Sequence, residues 1–243
     1  MNDNNLLKFQ FGNSKLDKGI AIFSLPAGHS CPFAKLCLAK ANRQTGKLTT
    51  GPDAEFRCYA ASMENYRHGV RAAHWHNMDL LKKCKTTAEM VDLILASLPK
   101  YSLYVRLHSS GDFYNQMYFD AWAEVARIEW RRVFYGYTKS LRYWVARQNT
   151  LPGNLILTAS QGGADDHLID LHGLRSARVV YSDQEAADLG LEIDHDDSHA
   201  MKPGPDFALL IHGMQPAGSE AAKAVASLKK QGWYGYGKGK KAA

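Results

Sequence analysis

From residue 102 onward, apolar runs of strand length alternate with stretches of helical periodicity, and that alternation leaves few architectures open. Residues 102–108 (Ser-Leu-Tyr-Val-Arg-Leu-His) read as a strand, after which Phe119, Trp122, Ala123 and Ala126 recur at helical spacing on one face. A second strand is predicted over 132–138, followed by a helix over 141–148. Residues 154–159, 177–181 and 207–212 supply three more strands, with helices over 184–189 and 219–231 after the last two. An earlier strand is expected at 20–25. Two helices fit between Tyr59 and Leu98, the second opened by a capping box of Thr86 and Glu89. Strands that alternate with helices pair in parallel through right-handed crossovers. Six strands are too few to close an eight-stranded barrel. The expected fold is therefore α/β, with parallel βα units forming a partial, incomplete TIM-like barrel. The rival is an open doubly wound sheet with the cysteine segment as a separate lobe.

Cysteine placement carries most of the chemical inference. Cys31, Cys37, Cys58 and Cys84 all fall in the first 84 residues, and none follows. The polar, Asn-rich start does not resemble a signal peptide, which points to a reducing bacterial cytoplasm where disulfides are rare. Thiols beside glycine and proline in such a compartment point to metal or cluster ligation. Five residues separate Cys31 from Cys37, and twenty separate Cys37 from Cys58. That spacing lacks the doubled short pairs of structural zinc sites. Iron–sulfur cores tolerate irregular spacing because they collect thiolates from separate loops. Cys31, Cys37 and Cys58 are the candidate ligands of a four-iron cluster. Cys84, between Lys83 and Lys85 ahead of a helix, is either a fourth ligand or an ordinary thiol.

In parallel α/β folds the carboxyl ends of the strands form the active-site rim. Here those ends run into Ser109-Ser110-Gly111-Asp112, Lys139-Ser140, Gln161-Gly162-Gly163, Ser182-Asp183 and Gly213. Such residues also cap helices, but capping does not account for Lys139, or for His108 and His212 as terminal strand residues. The candidate catalytic residues are Asp112, Lys139 and His195. The last belongs to a dense run, Asp194 to Asp197 with Ser198 and His199, that suits a divalent cation, acid–base work or a solvated loop. Ser110, Gly111 and Gln161 are candidate cofactor contacts. Arg106, Lys139, Arg142 and Arg147 beside Tyr135, Tyr137 and Tyr143 suit a basic, aromatic surface or plain packing. His74 and His76 around Trp75 read as helix-lining residues.

The chain reads as one domain over residues 1–243, with a cysteine-rich segment at about 26–85 and a short basic tail at 229–243. Net charge is +6, and five tail lysines with no acid supply most of it, leaving about +1 elsewhere. The tail's Trp233, Tyr234 and Tyr236 suit either contact with nucleic acid or a solvated, frayed end. No apolar stretch approaches the length of a membrane crossing.

The segments Gly28-His29-Ser30-Cys31-Pro32, Arg57-Cys58-Tyr59-Ala60-Ala61-Ser62, Ser110-Gly111-Asp112-Phe113, Tyr137-Thr138-Lys139-Ser140 and 194–199 together resemble the gene product 88 family of bacteriophages and mobile elements, over roughly residues 5 to 237. More loosely, a cysteine cluster ahead of repeated βα units is similar to the plan of radical-SAM enzymes. The chain departs from that plan in lacking a compact CxxxCxxC and a Gly-Gly-Glu-Pro motif; Ser110-Gly111-Asp112 stands in a comparable place. That similarity implies an iron–sulfur cluster, S-adenosylmethionine as co-substrate, and an enzyme acting on a nucleotide, nucleic acid or modified base. Asp112, Lys139 and Gln161 would orient the bound molecules. The alternative is a non-enzymatic iron–sulfur or metal-containing module that binds nucleic acid or a host protein.

Overall fold

A computed structural model describes residues 5–236. Its main sheet has eight strands in the order β1 (Phe9–Phe11), β2 (Ile20–Phe23), β5 (Tyr104–Leu107), β6 (Val133–Thr138), β7 (Leu155–Ser160), β8 (Ser176–Val180), β10 (Phe207–Leu210) and β9 (Glu192–Ile193). Only β1 runs antiparallel, hydrogen-bonded to β2; every other neighbour pairs in parallel. From β2 to β10 the strands lie side by side in chain order. The order never reverses between them, so the switch point of a doubly wound sheet is absent from that run.

Strand period two sorts the side chains onto two faces. Ala21, Phe23, Val105, Leu107, Phe134, Leu155 and Leu157 join one cluster with α3 (Thr87–Ser97) and α4 (Gln116–Ile128). Ala159 packs with Leu141 and Ile169 from α5 (Leu141–Val145) and α6 (His167–His172). Ala208 and Leu210 pack with Ala186, Ala221 and Leu228 from α7 (Asp183–Asp188) and α8 (Glu220–Lys230). All six helices thus cover the same face. On the other face Ile20, Ile22, Tyr135, Ala177 and Phe207 gather with Leu16 and Ala200 from loops, so side chains of β2, β6, β8 and β10 share one cluster. Burying both faces explains why these strands read as continuous apolar runs.

Local sequence sets the element ends. Asn115, Ser182 and Ser219 accept from the amides of Tyr118, Glu185 and Ala222 and so cap α4, α7 and α8. Thr86 caps α3 through the Glu89 amide, while the Glu89 carboxylate reaches the Lys85 amide rather than that of Thr86.

Several expectations are corrected. Three helices, not two, precede β5: α1 (Tyr59–Tyr66) stops at Arg67, whose ψ of 83° leaves the helical range, and α2 (His68–Lys83) starts immediately after. The helix expected over 141–148 ends at Val145, with a separate 3-10 turn at Gln148–Thr150. The hairpin of β3 (Ala39–Ala41) and β4 (Leu48–Thr50), together with β1 and β9, has only two or three residues per strand, too few to show a period.

Candidate functional site

Parallel pairing puts the carboxyl ends of β2, β5, β6, β7, β8 and β10 on one edge, and the cysteine-bearing segment 24–58 is tied across that edge. The Leu25 amide donates to Ser110 O after β5. The Lys35 and Leu36 amides donate to Gly162 O after β7, and the Ala164 amide returns to Phe33 O. Past β10, Gln215 is clasped to Arg57: its carboxamide oxygen accepts from the Arg57 amide at 2.7 Å and its Nε2 donates to Arg57 O at 3.1 Å. Close approach is enforced at Gly111, φ +85°, where a Cβ would sit 2.5 Å from Ser30 Oγ. At Gly28, φ +69°, a Cβ would sit 2.3 Å from Ala39 O. A side chain at Gly111 would push the cysteine loop off the sheet, and one at Gly28 would open the loop itself.

Cys31, Cys37 and Cys58 are partly accessible. Gly28 donates its amide to Cys31 Sγ at 3.3 Å, and the Cys58 amide bonds Cys37 O at 3.3 Å. Burial pushes the Cys31 thiol well up, assisted by the charges of Asp112, Cys58 and Cys37. Cys58, the residue preceding α1, is pushed up to about 12 by burial and by Cys37, against the pull of the Ala61 and Ala60 amides. No three His, Cys, Asp or Glu side chains among the described residues converge on a point where one metal ion would sit. Cys84 lies elsewhere, with its Sγ towards Leu80 O at the end of α2 and its surroundings formed by the helical core.

Glu64 on α1 holds these loops together. Fully buried, its Oε1 accepts from the Ala27 amide at 2.9 Å and Ser110 Oγ at 3.0 Å, and lies 2.7 Å from His74 Nδ1. Its Oε2 has no partner among the described residues. Sequence reading missed this residue, because a glutamate on a polar helix carries no mark of burial.

The predicted site residues separate into roles. Asp112 is 4% exposed and its Oδ1 accepts from the Phe113 amide at 2.7 Å and Thr138 Oγ1 at 2.6 Å, while Oδ2 accepts from the Lys139 amide at 2.8 Å. Burial raises its carboxyl to about 6, against the lowering effect of those three donors. Lys139 extends Nζ to Ser160 O, Ser160 Oγ and Gln161 O, at 2.8, 2.8 and 2.6 Å. Asp112 therefore joins the end of β5 to that of β6, and Lys139 joins β6 to β7. Ser110 is spent on Glu64 and Gly111 is packed against Ser30, so neither presents a free surface to a cofactor. Gln161 donates Nε2 to Ser176 Oγ at 3.0 Å and lines a recess of about 670 Å³ with Leu36, Glu55, Phe56, Asp166, Arg178, Tyr181, Glu185 and Glu220. Leu36 and Phe56 are close chain neighbours of Cys37 and Cys58, so the recess opens beside the thiol loops. Four acids against one arginine make its wall acidic.

The sequence profile of the gene product 88 family matches residues 3–230. The chain belongs to the gene product 88 family. No curated protein and no solved structure matches it.

Other candidate groups in this family member serve the interior. Arg106, 8% exposed, donates Nε to Asp197 Oδ2 at 3.0 Å and stacks on Tyr137 at 4.5 Å. Lys15 Nζ meets Asp197 Oδ1 at 2.5 Å, and Tyr137 donates to Asp194 and Asp197. Asp194 and Asp197 are thus counter-charges of a buried cluster, while His195, Asp196 and Ser198 are exposed. His195 is exposed, and no hydrogen bond or ion pair among the described residues links it to Asp112 or Lys139. His108 turns into the left-handed region, φ 56°, and packs on Phe113 with Nε2 2.9 Å from Tyr118 Oη. It faces the core, where burial and then Arg106 lower it to about 3. Arg142 and Arg147 pair with Asp165 and Asp120. Trp233 packs beside α8, and Tyr236 Oη accepts from the Leu210 amide at 3.0 Å. Lys238, Lys240 and Lys241 lie outside the described residues. No described helix is long and apolar enough to cross a membrane.

Proposed function

We propose that this family member is an iron–sulfur protein on a radical-SAM-like partial barrel, acting on a nucleotide, nucleic acid or modified base in a phage setting. One observation carries the reading: Cys31, Cys37 and Cys58 lie on loops bound to the carboxyl edge of a parallel sheet, beside Asp112 and the mouth of the recess. Cys31 feels the charges of Cys58 and Cys37, and Cys58 that of Cys37, so the three thiols are neighbours drawn from separate loops, the donor source an iron–sulfur core uses. Unreversed strand order, helices on one face and a shared cluster on the other support the partial barrel.

Cys31, Cys37 and Cys58 would hold the cluster, which would supply an electron from an external donor for splitting S-adenosylmethionine into methionine and a 5′-deoxyadenosyl radical. The chain's own residues build the surroundings. Glu64 holds the Ala27 and Ser110 segments against α1. Asp112 and Lys139 lock the β5, β6 and β7 ends, so both act as positioning residues rather than as groups that touch substrate. Gln161 lines the recess, with its amide nitrogen anchored on Ser176. The acidic wall of Glu55, Asp166, Glu185 and Glu220 suits the sulfonium and ammonium of S-adenosylmethionine, or a neutral base, and disfavours bare phosphate.

Anaerobically purified protein is expected to be brown and to hold iron and sulfide in comparable amounts. A colourless protein with stoichiometric zinc would overturn the proposal. Reduced protein incubated with S-adenosylmethionine should yield 5′-deoxyadenosine or methionine. Salt-sensitive, sequence-tolerant DNA binding without that turnover would assign the chain to the binding-module class instead.

A further inference from the structure

A second cavity, of about 380 Å³, lies between the first turns of α2 and the β3–β4 hairpin, lined by Arg43, Gln44, His68, Arg71, Trp75 and Asp79 among others. We propose that it is a phosphate-binding site, built to take the phosphoryl group of a nucleotide or of a nucleic-acid backbone.

Arg71 carries the argument. It is 4% exposed, yet no carboxylate pairs with it among the described residues. Its donors go only to backbone carbonyls: Nε to Arg43 O at 3.0 Å, Nη1 to Glu64 O and Asn65 O, and Nη2 to Gln44 O at 3.2 Å. Four of the five guanidinium N–H groups are thereby used and the cation keeps its full charge. A buried guanidinium without a counter-ion is costly. Asp79 at the cavity is already paired with Arg43, and Glu64 Oε1 faces His74. The wall therefore combines two arginines and two histidines, His68 and His76, with one already paired acid.

Trp75 lines the same cavity and limits what can enter it. One face of this indole carries the Arg43 guanidinium at 4.7 Å, and His29 lies 4.9 Å away, ring centroid to centroid. Arg43 thus occupies the surface on which a base would stack, which leaves an anion rather than a base as the fitting occupant. Arg43 and Gln44 of the hairpin and His68 and Arg71 of α2 surround the cavity, a cationic lining that suits an anion with several oxygens. The site makes no use of the cysteines, so it stands or falls independently of the cluster.

The test is a titration of the purified chain at low salt with pyrophosphate, AMP and a short single-stranded oligonucleotide, followed by ¹H–¹⁵N indole resonances. The Trp75 signal is assigned by its loss in Trp75→Phe. Saturable movement of that signal is expected, weakening as salt rises, with affinity lowered at least tenfold in Arg71→Lys and severalfold in His68→Ala. His68 is exposed, so its replacement keeps the test valid if Arg71→Lys fails to fold. Tightest binding by the oligonucleotide with a steep salt slope identifies the nucleic-acid backbone as the source, and tightest binding by AMP a free nucleotide. No movement with any of the three probes at millimolar concentration, or movement unchanged in both variants, overturns the site. Neither readout depends on iron, so failure here is distinguishable from failure of the cluster.

Discussion

Asp197→Asn should be among the most destabilising single-atom changes in the chain. Asp197 is 3% exposed and answers two cations, Arg106 through Oδ2 at 3.0 Å and Lys15 through Oδ1 at 2.5 Å. Burial alone would raise its carboxyl, but Arg106 and then Lys15 outweigh that and hold it below the ordinary range. Asparagine matches aspartate in shape and is itself enriched in left-handed backbone, so the φ of 65° at this position adds no strain. The substitution therefore removes charge alone, leaving two cations in the interior. Removing one partner of a buried pair costs about 3–5 kcal/mol, and the amide oxygen that remains as an acceptor places the expectation near the lower bound. At about 2–4 °C per kcal/mol for a chain of this size, the midpoint of thermal unfolding should fall by about 6–12 °C. The pH dependence has a definite sign. A depressed carboxyl stabilises the fold above its unfolded value of 3.8 and loses that contribution as pH falls further. The deficit of Asp197→Asn should thus be full at pH 7 and shrink below pH 4. The assay is thermal and urea unfolding of both proteins across that range. A fall of less than about 0.5 kcal/mol at pH 7, the scale of a neutral surface change, would refute the claim that this charge closes the interior.

Three further outcomes follow from named contacts. Cys31→Ala, Cys37→Ala and Cys58→Ala should each lose bound iron while Cys84→Ala keeps it, as read by iron and sulfide assay of anaerobically purified protein; equal loss in all four would indicate a closed four-cysteine site. Asp112, raised from 3.8 to about 6, favours folding while protonated, so its contribution is complete below pH 3.8 and lost as pH rises through 6; at about 1.36 kcal/mol per unit this is about 3 kcal/mol, and Asp112→Asn should flatten that limb of the stability profile. His108 and His212, lowered by burial to about 3 and about 4, remain neutral in the fold, and stability should decline as pH falls below 6.5; His108→Gln should reduce that decline in urea unfolding.

The parallel βα order was legible because its signal is long. Six-residue strands such as Val133–Thr138 and a thirteen-residue amphipathic α4 leave clear periods in the chain. Elements that lack length were invisible: β3, β4 and β9 are set by turns and tertiary contacts, not by pattern. The split between α1 and α2 was hidden for another reason: the one breaker near Arg67 is Gly69, and it lies inside α2 rather than at the junction.

At the site, the sequence disclosed which residue types meet but not what they are spent on. Lys139 stood out as a lysine at a strand's end, yet its amine is used up on Ser160 and Gln161. The Asp/His run stood out as a metal or acid–base cluster, and its two buried carboxylates answer Arg106, Lys15 and Tyr137 from remote segments. Conversely Glu64 and Arg71, on the polar helices α1 and α2, look like surface charges and are 0% and 4% exposed. The common cause is that a charge's role depends on its partner, and here the partners lie tens of residues away in the chain. Only the thiols escape this limit. Cysteine at Cys31, Cys37 and Cys58 points to soft-ligand chemistry before any partner is known, which is why those three residues anchor the functional reading.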